Sequence, residues 1–544
     1  MTNYQFTGGT ICAPATIPGT GAISIIRVSG KEALAIADKV IDTKGVPIAE
    51  TEGYRLRYGT VFEADGSVLD NVIVSVFRAP HSYTGENSVE ISCHASRFIV
   101  NKILELLVNA GARIAAPGEF TRRAFVNGKM DLAQAEAVAD VIASQSAASH
   151  RVAMNQLKGG FSSELKVLRE KLLTMTSLLE LELDFSEEDV EFASRKELGQ
   201  LVDDSLTHIR RLTASFSRGN AIKNGVPVAI VGATNTGKST LLNALLGEER
   251  AIVSDIAGTT RDTIEETLNI DGILFRFIDT AGIRETDETI EKIGIDRTFK
   301  KLGEAAVVLG MTDLSRGEAA VLEDADFILS KVNEMGGVKN VGLAIDGAET
   351  GGASLAETGR TTPADTGVAS QHGHGDGQER KVVILVNKCD VAGSFCKDDN
   401  GTGYGSGNDL GENMAEIGGN KNVNHDNNIV SLIENKYDNC KVIPISAKTG
   451  KGLSTLTKTL GEIGSEITGS TDETLVTNVR HYEVLVRAAS ALERVRAGLH
   501  IATLPPDLIA QDLREALYHL GEIVGEISTD ETLGNIFRNF CIGK

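Results

Sequence analysis

Gly232-Ala-Thr-Asn-Thr-Gly237-Lys238-Ser239 stands between the apolar run 228–231 and the apolar run 241–246. That order predicts a buried strand, a glycine-rich turn and a helix, the setting a phosphate-binding loop requires. The glycines let backbone N–H groups turn inward around phosphate oxygens. Lys238 is placed to reach the terminal phosphates and Ser239 to offer its hydroxyl to Mg²⁺, while the helix N-terminus adds its dipole.

Three later segments fix the base. Asp279-Thr280-Ala281-Gly282 follows the apolar run 273–278, which puts Asp279 at a strand's C-terminal end, where it can hold Mg²⁺ through water. Asn387-Lys388-Cys389-Asp390 follows the run 382–386. A carboxylate at Asp390 can accept from the ring N–H and the exocyclic amine of guanine, whereas adenine has no donor at that ring nitrogen. Ser446-Ala447-Lys448 follows the run 442–445 and resembles the loop that closes over the base in guanine-nucleotide proteins. Each motif is short, but the four in this order, each after its own strand, point to GTP. The residues expected to line the site are Asn235, Thr236, Gly237, Lys238, Ser239 and Thr240, then Asp279 to Gly282, Asn387, Lys388, Asp390, Ser446, Ala447 and Lys448.

Between the first two motifs lies Ser254-Asp255-Ile256-Ala257-Gly258-Thr259-Thr260, also counted in the nucleotide site. Thr260 is the candidate to complete the Mg²⁺ shell beside Ser239 once a γ-phosphate is present, which would make the loop a switch. Many GTPases place a glutamine after the Asp-x-x-Gly motif to orient the attacking water. This chain has Ile283 there, so another group must do it, and Glu285, Asp287, Glu288 and Glu291 all follow closely.

Several stretches outside the GTPase core resemble the tRNA modification GTPase family MnmE, also called TrmE. They are Ala13-Pro-Ala-Thr-Ile-Pro-Gly-Thr-Gly-Ala22 with Ile25-Ile-Arg27, Ser82-Tyr-Thr-Gly-Glu-Asn87 with Val89-Glu90-Ile91, and Ala116-Pro-Gly-Glu-Phe-Thr121 continuing through Asn127-Gly-Lys129 to Glu136. The terminal Cys541-Ile-Gly-Lys544 belongs with them. The resemblance implies a K⁺ ion at Asn235, Ser254, Ile256 and Thr259, standing where other GTPases use an arginine finger. It implies that Glu291 orients the catalytic water. It further implies a tetrahydrofolate derivative (5,10-methylene or 5-formyl) at Arg27, Glu90, Lys129 and Lys544. Implied partners are a second copy of the chain, the flavoprotein MnmG (GidA) in a heterotetramer or larger complex, and a tRNA whose wobble uridine is modified at C5 with an aminomethyl or carboxymethylaminomethyl group. A GTPase of ribosome assembly with RNA-binding accessory domains is the rival reading.

The fold expected is multidomain, α/β plus all-α: an N-terminal α/β folate-binding and dimerisation domain, a discontinuous helical bundle, and an inserted Ras-like P-loop GTPase domain. Its boundaries fall at 1–125, 126–222, 223–468 and 469–544. In the first segment Val89, Ile91 and Cys93 alternate with Glu90, Ser92 and His94, so Glu90 should face away from the core. Leu165, Leu168, Leu172, Met175, Leu179 and Leu183 recur at helical spacing and read as bundle core, as do Leu513, Ala516, Leu517, Leu520 and Ile523. The stretches 351–380 and 391–428 are rich in Gly, Thr, Asn and Asp and too poor in apolar residues to repay ordering, so they are expected to be surface loops. His372-Gly-His374 within the first lacks the framework of a metal site.

The formal net charge is −21, which excludes a self-sufficient electrostatic clamp on RNA. Arg122, Arg123 and Lys129 form the candidate local patch for RNA phosphates. The six cysteines show no C-x-x-C spacing, which argues against zinc and disulfide frameworks. No apolar run is of membrane-spanning length and no leader is apparent, so the expectation is a cytoplasmic protein without membrane contact.

Overall fold

The computed structural model describes residues 8–184, 195–249, 266–278, 305–334, 380–390, 428–437, 440–469, 473–501, 505–527, 530–538, 540 and 543. The chain divides into two compact units, one of residues 1–144, 149–219 and 470–544, the other of residues 145–148 and 220–469.

In the first unit, strands β1 (Ile11–Pro14), β2 (Ile23–Ser29), β3 (Ile41–Asp42), β4 (Arg55–Phe62), β5 (Val68–Phe77), β6 (Ser88–His94) and β7 (Arg113–Ile114) form a sheet in the order β3-β4-β5-β6-β2-β1-β7. Pairing is antiparallel except between β1 and β7. Successive side chains on a strand point to opposite faces, so the alternation in β6 buries Val89, Ile91 and Cys93 and leaves Glu90, Ser92 and His94 on the other side. The buried face packs on the helices Ala33–Val40 and Arg97–Asn109 through Val28, Val74, Ile91, Ile36 and Leu107. Arg27 stands directly opposite Glu90 in the β2–β6 register, on the side away from that core. Leu56, Tyr58 and Ile73 leave an apolar surface exposed by 66%, 66% and 47%.

The helical part of the same unit is built from segments far apart in sequence. In the helix Gly160–Asp184, Leu165, Leu168, Leu172 and Leu179 are buried and Met175 is partly so. They share one core with Leu198, Val202, Leu206 and Ile209 of the helix Arg195–Ala214, with Val484, Leu485 and Leu492 of Val479–Leu499, and with Leu513, Leu517, Leu520 and Ile523 of Pro506–Val524. The expected apolar stripes are therefore the seam of one bundle; the Leu183 side chain lies outside the described residues.

A short strap brings the chain back into this bundle. The Val476 N–H donates to Ser215 Oγ at 3.1 Å, and Gln156 Nε2 donates to the Leu475 carbonyl at 3.0 Å and to Thr477 Oγ1 at 3.1 Å. Beyond it, Glu136 accepts from Asn478 Nδ2 at 3.0 Å, Arg480 Nε at 2.9 Å and His481 Nε2 at 2.7 Å. Burial alone would raise the Glu136 carboxyl, but attraction to His481 and Arg480 and their hydrogen bonds prevail and hold its pKa down at about 2. Removing one member of such a buried group strands the others. Glu136→Ala is therefore expected to cost about 3–5 kcal/mol at neutral pH, read as a lowered denaturant midpoint for the bundle. A depressed carboxylate pKa gives stability that is complete above the ordinary 4.5 and lost as pH falls toward about 2. The cost of the substitution should shrink over that window. A cost independent of pH would deny the carboxylate this role.

In the second unit, β8 (Val226–Gly232), β9 (Glu266–Ile270), β10 (Ile273–Ile278), β11 (Val307–Asp313), β12 (Lys381–Asn387) and β13 (Cys440–Pro444) form a sheet in the order β13-β12-β11-β8-β10-β9. All neighbours are parallel except β9 and β10. Parallel strands covered on both faces need continuous apolar runs. β11 meets this with every residue buried, and β12 is buried from Val382 onward. The helices Lys238–Glu249 and Leu453–Thr468 contribute to the core on one face, Glu318–Glu334 and Asn428–Lys436 to that on the other. β8 sits between β10 and β11, where the strand order reverses. Open α/β sheets bind ligands outside the carboxyl ends of their strands at such a switch point.

Candidate functional site

The loop after β8 takes its shape from its glycines. Gly232 has φ +154°, Asn235 +61° and Gly237 +96°, after which the helix begins at Lys238. A side chain on Gly237 would lie 2.4 Å from Asn387 Nδ2, so the glycine lets the loop and the end of β12 touch. Thr236 is buried, and its hydroxyl donates to the Ala233 carbonyl at 2.9 Å. Lys238 Nζ lies along the loop, donating to the Gly232 and Ala233 carbonyls at 2.9 and 2.8 Å, and its burial lowers its pKa. Ser239 and Thr240 occupy the first turn of the helix, where its N–H groups favour an anion.

Asn387 binds two other segments. Its Nδ2 donates to the Thr236 carbonyl at 2.7 Å, and its Oδ1 accepts from the Ala447 N–H at 3.0 Å. The Ser446 hydroxyl, fully buried, donates to Asp390 Oδ1 at 2.7 Å. Lys388 takes the left-handed conformation, φ +66°, and its ammonium meets Asp313 Oδ2 at 2.6 Å. The phosphate loop, the Asn387–Asp390 loop and the Ser446–Lys448 loop thus come together, while Lys448 stays exposed. Asp313 is an addition that motif reading did not find. Its only sequence signal is an acid at the end of an apolar strand, just before Leu314-Ser315. Ser254 to Thr260, Asp279 to Gly282 and Glu291 lie outside the described residues.

A second cluster occupies the outward face of the N-terminal sheet. Arg27 Nε and Nη2 meet Glu90 Oε1 at 2.9 and 2.8 Å, with 17% and 26% of the two side chains exposed. The guanidinium lies 5.2 Å from the centre of the Tyr83 ring and 5.6 Å from that of Phe120. Arg27 Nη1 also donates to the carbonyl of Gly543 at 3.4 Å, so the tail returns to this site. The helix Asp530–Arg538 brings it there by burying Leu533 and Phe537 against Leu132 and Ala135. Lys129 Nζ donates to the Pro80 carbonyl at 3.1 Å and packs against Gly85, at the two ends of the loop that carries Tyr83. Lys544 and Cys541 lie outside the described residues. Burial pushes the Cys12, Cys93 and Cys440 thiols up to about 11, which leaves none of them a ready thiolate at neutral pH.

The expected basic patch is corrected at Arg123. Only 3% of its side chain is exposed, and it bonds Glu86 at 3.0 Å, Glu119 at 3.0 Å and the Gly9 carbonyl at 2.8 Å. Its fork matches carboxylates inside the fold, so it cannot meet RNA. The i, i+4 spacing of Glu119 and Arg123 on one helix is legible in the sequence, but spacing could not reveal Glu86, which comes from another loop. Among the described residues, no helix is long and apolar enough to cross a membrane.

The family model described as "MnmE helical domain" matches residues 132–541, and that of the "GTP-binding protein TrmE N-terminus" matches residues 10–129. The chain is 45% identical over 538 residues to a protein named tRNA modification GTPase MnmE in Parabacteroides distasonis, covering 98% of this chain and 100% of that one. The same name is carried by a Flavobacterium johnsoniae protein that is 45% identical over 536 residues, covering 98% and 99% of the two chains. Among solved structures, the FeoB G-domain from Methanococcus jannaschii is similar at 20% identity and a TM-score of 0.23, over 44% of this chain and 98% of that one. With both family segments matched and relatives of this identity along nearly its whole length, the chain belongs to the tRNA modification GTPase MnmE family and is a GTPase of tRNA modification.

Proposed function

We propose that the three converging loops bind GTP and that hydrolysis there drives modification of C5 of a tRNA wobble uridine, performed with the flavoprotein MnmG. The observation that carries the nucleotide half is Asn387, which joins the phosphate loop to the Ser446–Lys448 loop through one amide. Asp390, held by Ser446, recognises guanine. Lys238 and the helix N-terminus hold phosphate oxygens, and Asp279 to Gly282 complete the pocket. Ser239 and Thr260 are the side chains to hold Mg²⁺. Asn235, exposed at the turn of the loop, can offer its amide oxygen to K⁺ together with Ser254, Ile256 and Thr259. A cation there stabilises charge that develops on the phosphates. Glu291 orients water, a task Ile283 cannot perform.

The outward sheet face suits a tetrahydrofolate derivative, which supplies the one-carbon unit when bound. Glu90 can accept from a pterin amine and ring N–H, the Tyr83 and Phe120 rings offer flat apolar contact, and Arg27, Lys129 and Lys544 suit carbonyls and carboxylates. The exposed Leu56, Tyr58 and Ile73 beside it fit an interface with a second copy of the chain. With a net charge of −21, the RNA phosphates must be met mainly by the flavoprotein partner. This division of the chain follows the boundaries at 125, 222 and 468, and a cytoplasmic setting accords with it.

Exchanging K⁺ for Na⁺ at equal ionic strength tests the cation. GTP turnover is expected to fall on the order of 10²-fold, and Asn235→Ala should remove most of that difference while GDP still binds. Equal turnover in both salts would take K⁺ out of the mechanism.

A further inference from the structure

Asp313 lies outside every nucleotide motif, yet it is tied to one. β11 and β12 are parallel neighbours, and Asp313 is the register partner of Asn387. Lys388 is the next residue. Its left-handed backbone turns the side chain back toward β11, where Nζ meets Asp313 Oδ2 at 2.6 Å. Such a conformation is costly for a residue with a Cβ, roughly 1–2 kcal/mol, and needs an anchor to persist. The Asp313 side chain is only 7% exposed and that of Lys388 33%. The other oxygen, Oδ1, accepts from the Ser315 N–H at 2.9 Å and the Ser315 hydroxyl at 2.6 Å, which holds the carboxylate independently of the lysine. Burial alone would raise this carboxyl, but the bonds from Lys388 and Ser315 hold it below its usual range.

The geometry points to Asp313 as a positioning residue for guanine-nucleotide binding: it stretches Lys388 between β12 and β11 so that the aliphatic stem forms one rigid wall of the base pocket. The other two motif residues are already anchored, Asn387 by Thr236 and Ala447, and Asp390 by Ser446. Asp313 completes the set by anchoring the lysine. A wall held in place before the base arrives loses less side-chain freedom on binding, so the anchor acts on affinity and leaves the hydrolytic step alone.

This inference rests on reading Asn387, Lys388 and Asp390 as the base-recognition loop. Calorimetric titration of GDP and GTP into the full chain, with saturated GTP turnover, tests it in Asp313→Asn, Lys388→Met, the double variant and Ser315→Ala. Asp313→Asn should weaken both nucleotides about 10- to 100-fold with kcat nearly unchanged. The double variant should be no weaker than Lys388→Met alone. Ser315→Ala, which removes one of the two Ser315 bonds to Oδ1 and keeps the backbone N–H, should weaken affinity by less than Asp313→Asn does. Additive losses, full affinity in folded Asp313→Asn, or an equal affinity loss in Ser315→Ala would each overturn the assignment. Failure of the underlying reading looks different: Lys388→Met would then bind GDP as well as the unaltered chain.

Discussion

Gly237→Ala is expected to abolish useful GTP binding, with an affinity loss beyond about 100-fold, equivalent to roughly 2.7 kcal/mol. Two effects combine. The residue has φ +96°, where an added Cβ strains the backbone, and that Cβ would lie 2.4 Å from Asn387 Nδ2. Asn387 cannot yield cheaply, because the same amide donates to the Thr236 carbonyl at 2.7 Å and accepts from the Ala447 N–H at 3.0 Å. One methyl group therefore disturbs the phosphate loop and the base-recognition loop together. Gly247→Ala is the control: it lies on the helix that follows the loop, with open space around its Cα. It should bind GDP normally. Titration of both variants with GDP checks the prediction, and near-normal affinity in Gly237→Ala would show that the contact with Asn387 is dispensable.

Gly543→Ala is expected to remove tRNA modification and spare GTP hydrolysis. Gly543 has φ +98°, and a Cβ there would approach the Pro14 carbonyl oxygen to 2.0 Å, a backbone group of strand β1 that has nowhere to go. The tail must lift, and Arg27 then loses the Gly543 carbonyl it holds at 3.4 Å. Displacing a positioning segment by an ångström or so costs on the order of 10²-fold in rate. Mass spectrometry of tRNA nucleosides from cells carrying the variant reads the first half of the prediction, and turnover of GTP by the purified chain reads the second. Deleting residues 541–544 should do the same. Cys541→Ser tests the thiol separately: loss of modification with folate affinity intact would mark it as a nucleophile. Unchanged modification in Gly543→Ala would detach the tail from the Arg27–Glu90 site.

The local patterns in the sequence predicted local structure well where one physical period governed. The alternation in 89–94 placed Glu90 on the outward face, and the register of β2 and β6 set it against Arg27. The helical stripes from Leu165 and from Leu513 both reached the same core. Arg123 shows where such reading ends. Its charge suggested a surface, but Glu119 meets it from one turn earlier on the same helix and Glu86 from the loop before β6. Sequence spacing marks the i, i+4 pair with Glu119 but carries no information about the arrival of Glu86.

The sequence by itself therefore determined the nucleotide, the class of chemistry and the elements that carry them. A phosphate loop, a base-recognition loop and amphipathic periods are set by near neighbours along the chain, where backbone geometry fixes what each residue can reach. Only the tertiary structure decided three other things: that Asp313 anchors Lys388, that Glu136 gathers Asn478, Arg480 and His481, and that the tail lies beside Arg27. Each joins residues brought together by sheet register or by helix packing. Such contacts exist only after the apolar faces have closed, because the low dielectric they create is what makes an unpaired charge costly and its partner obligatory.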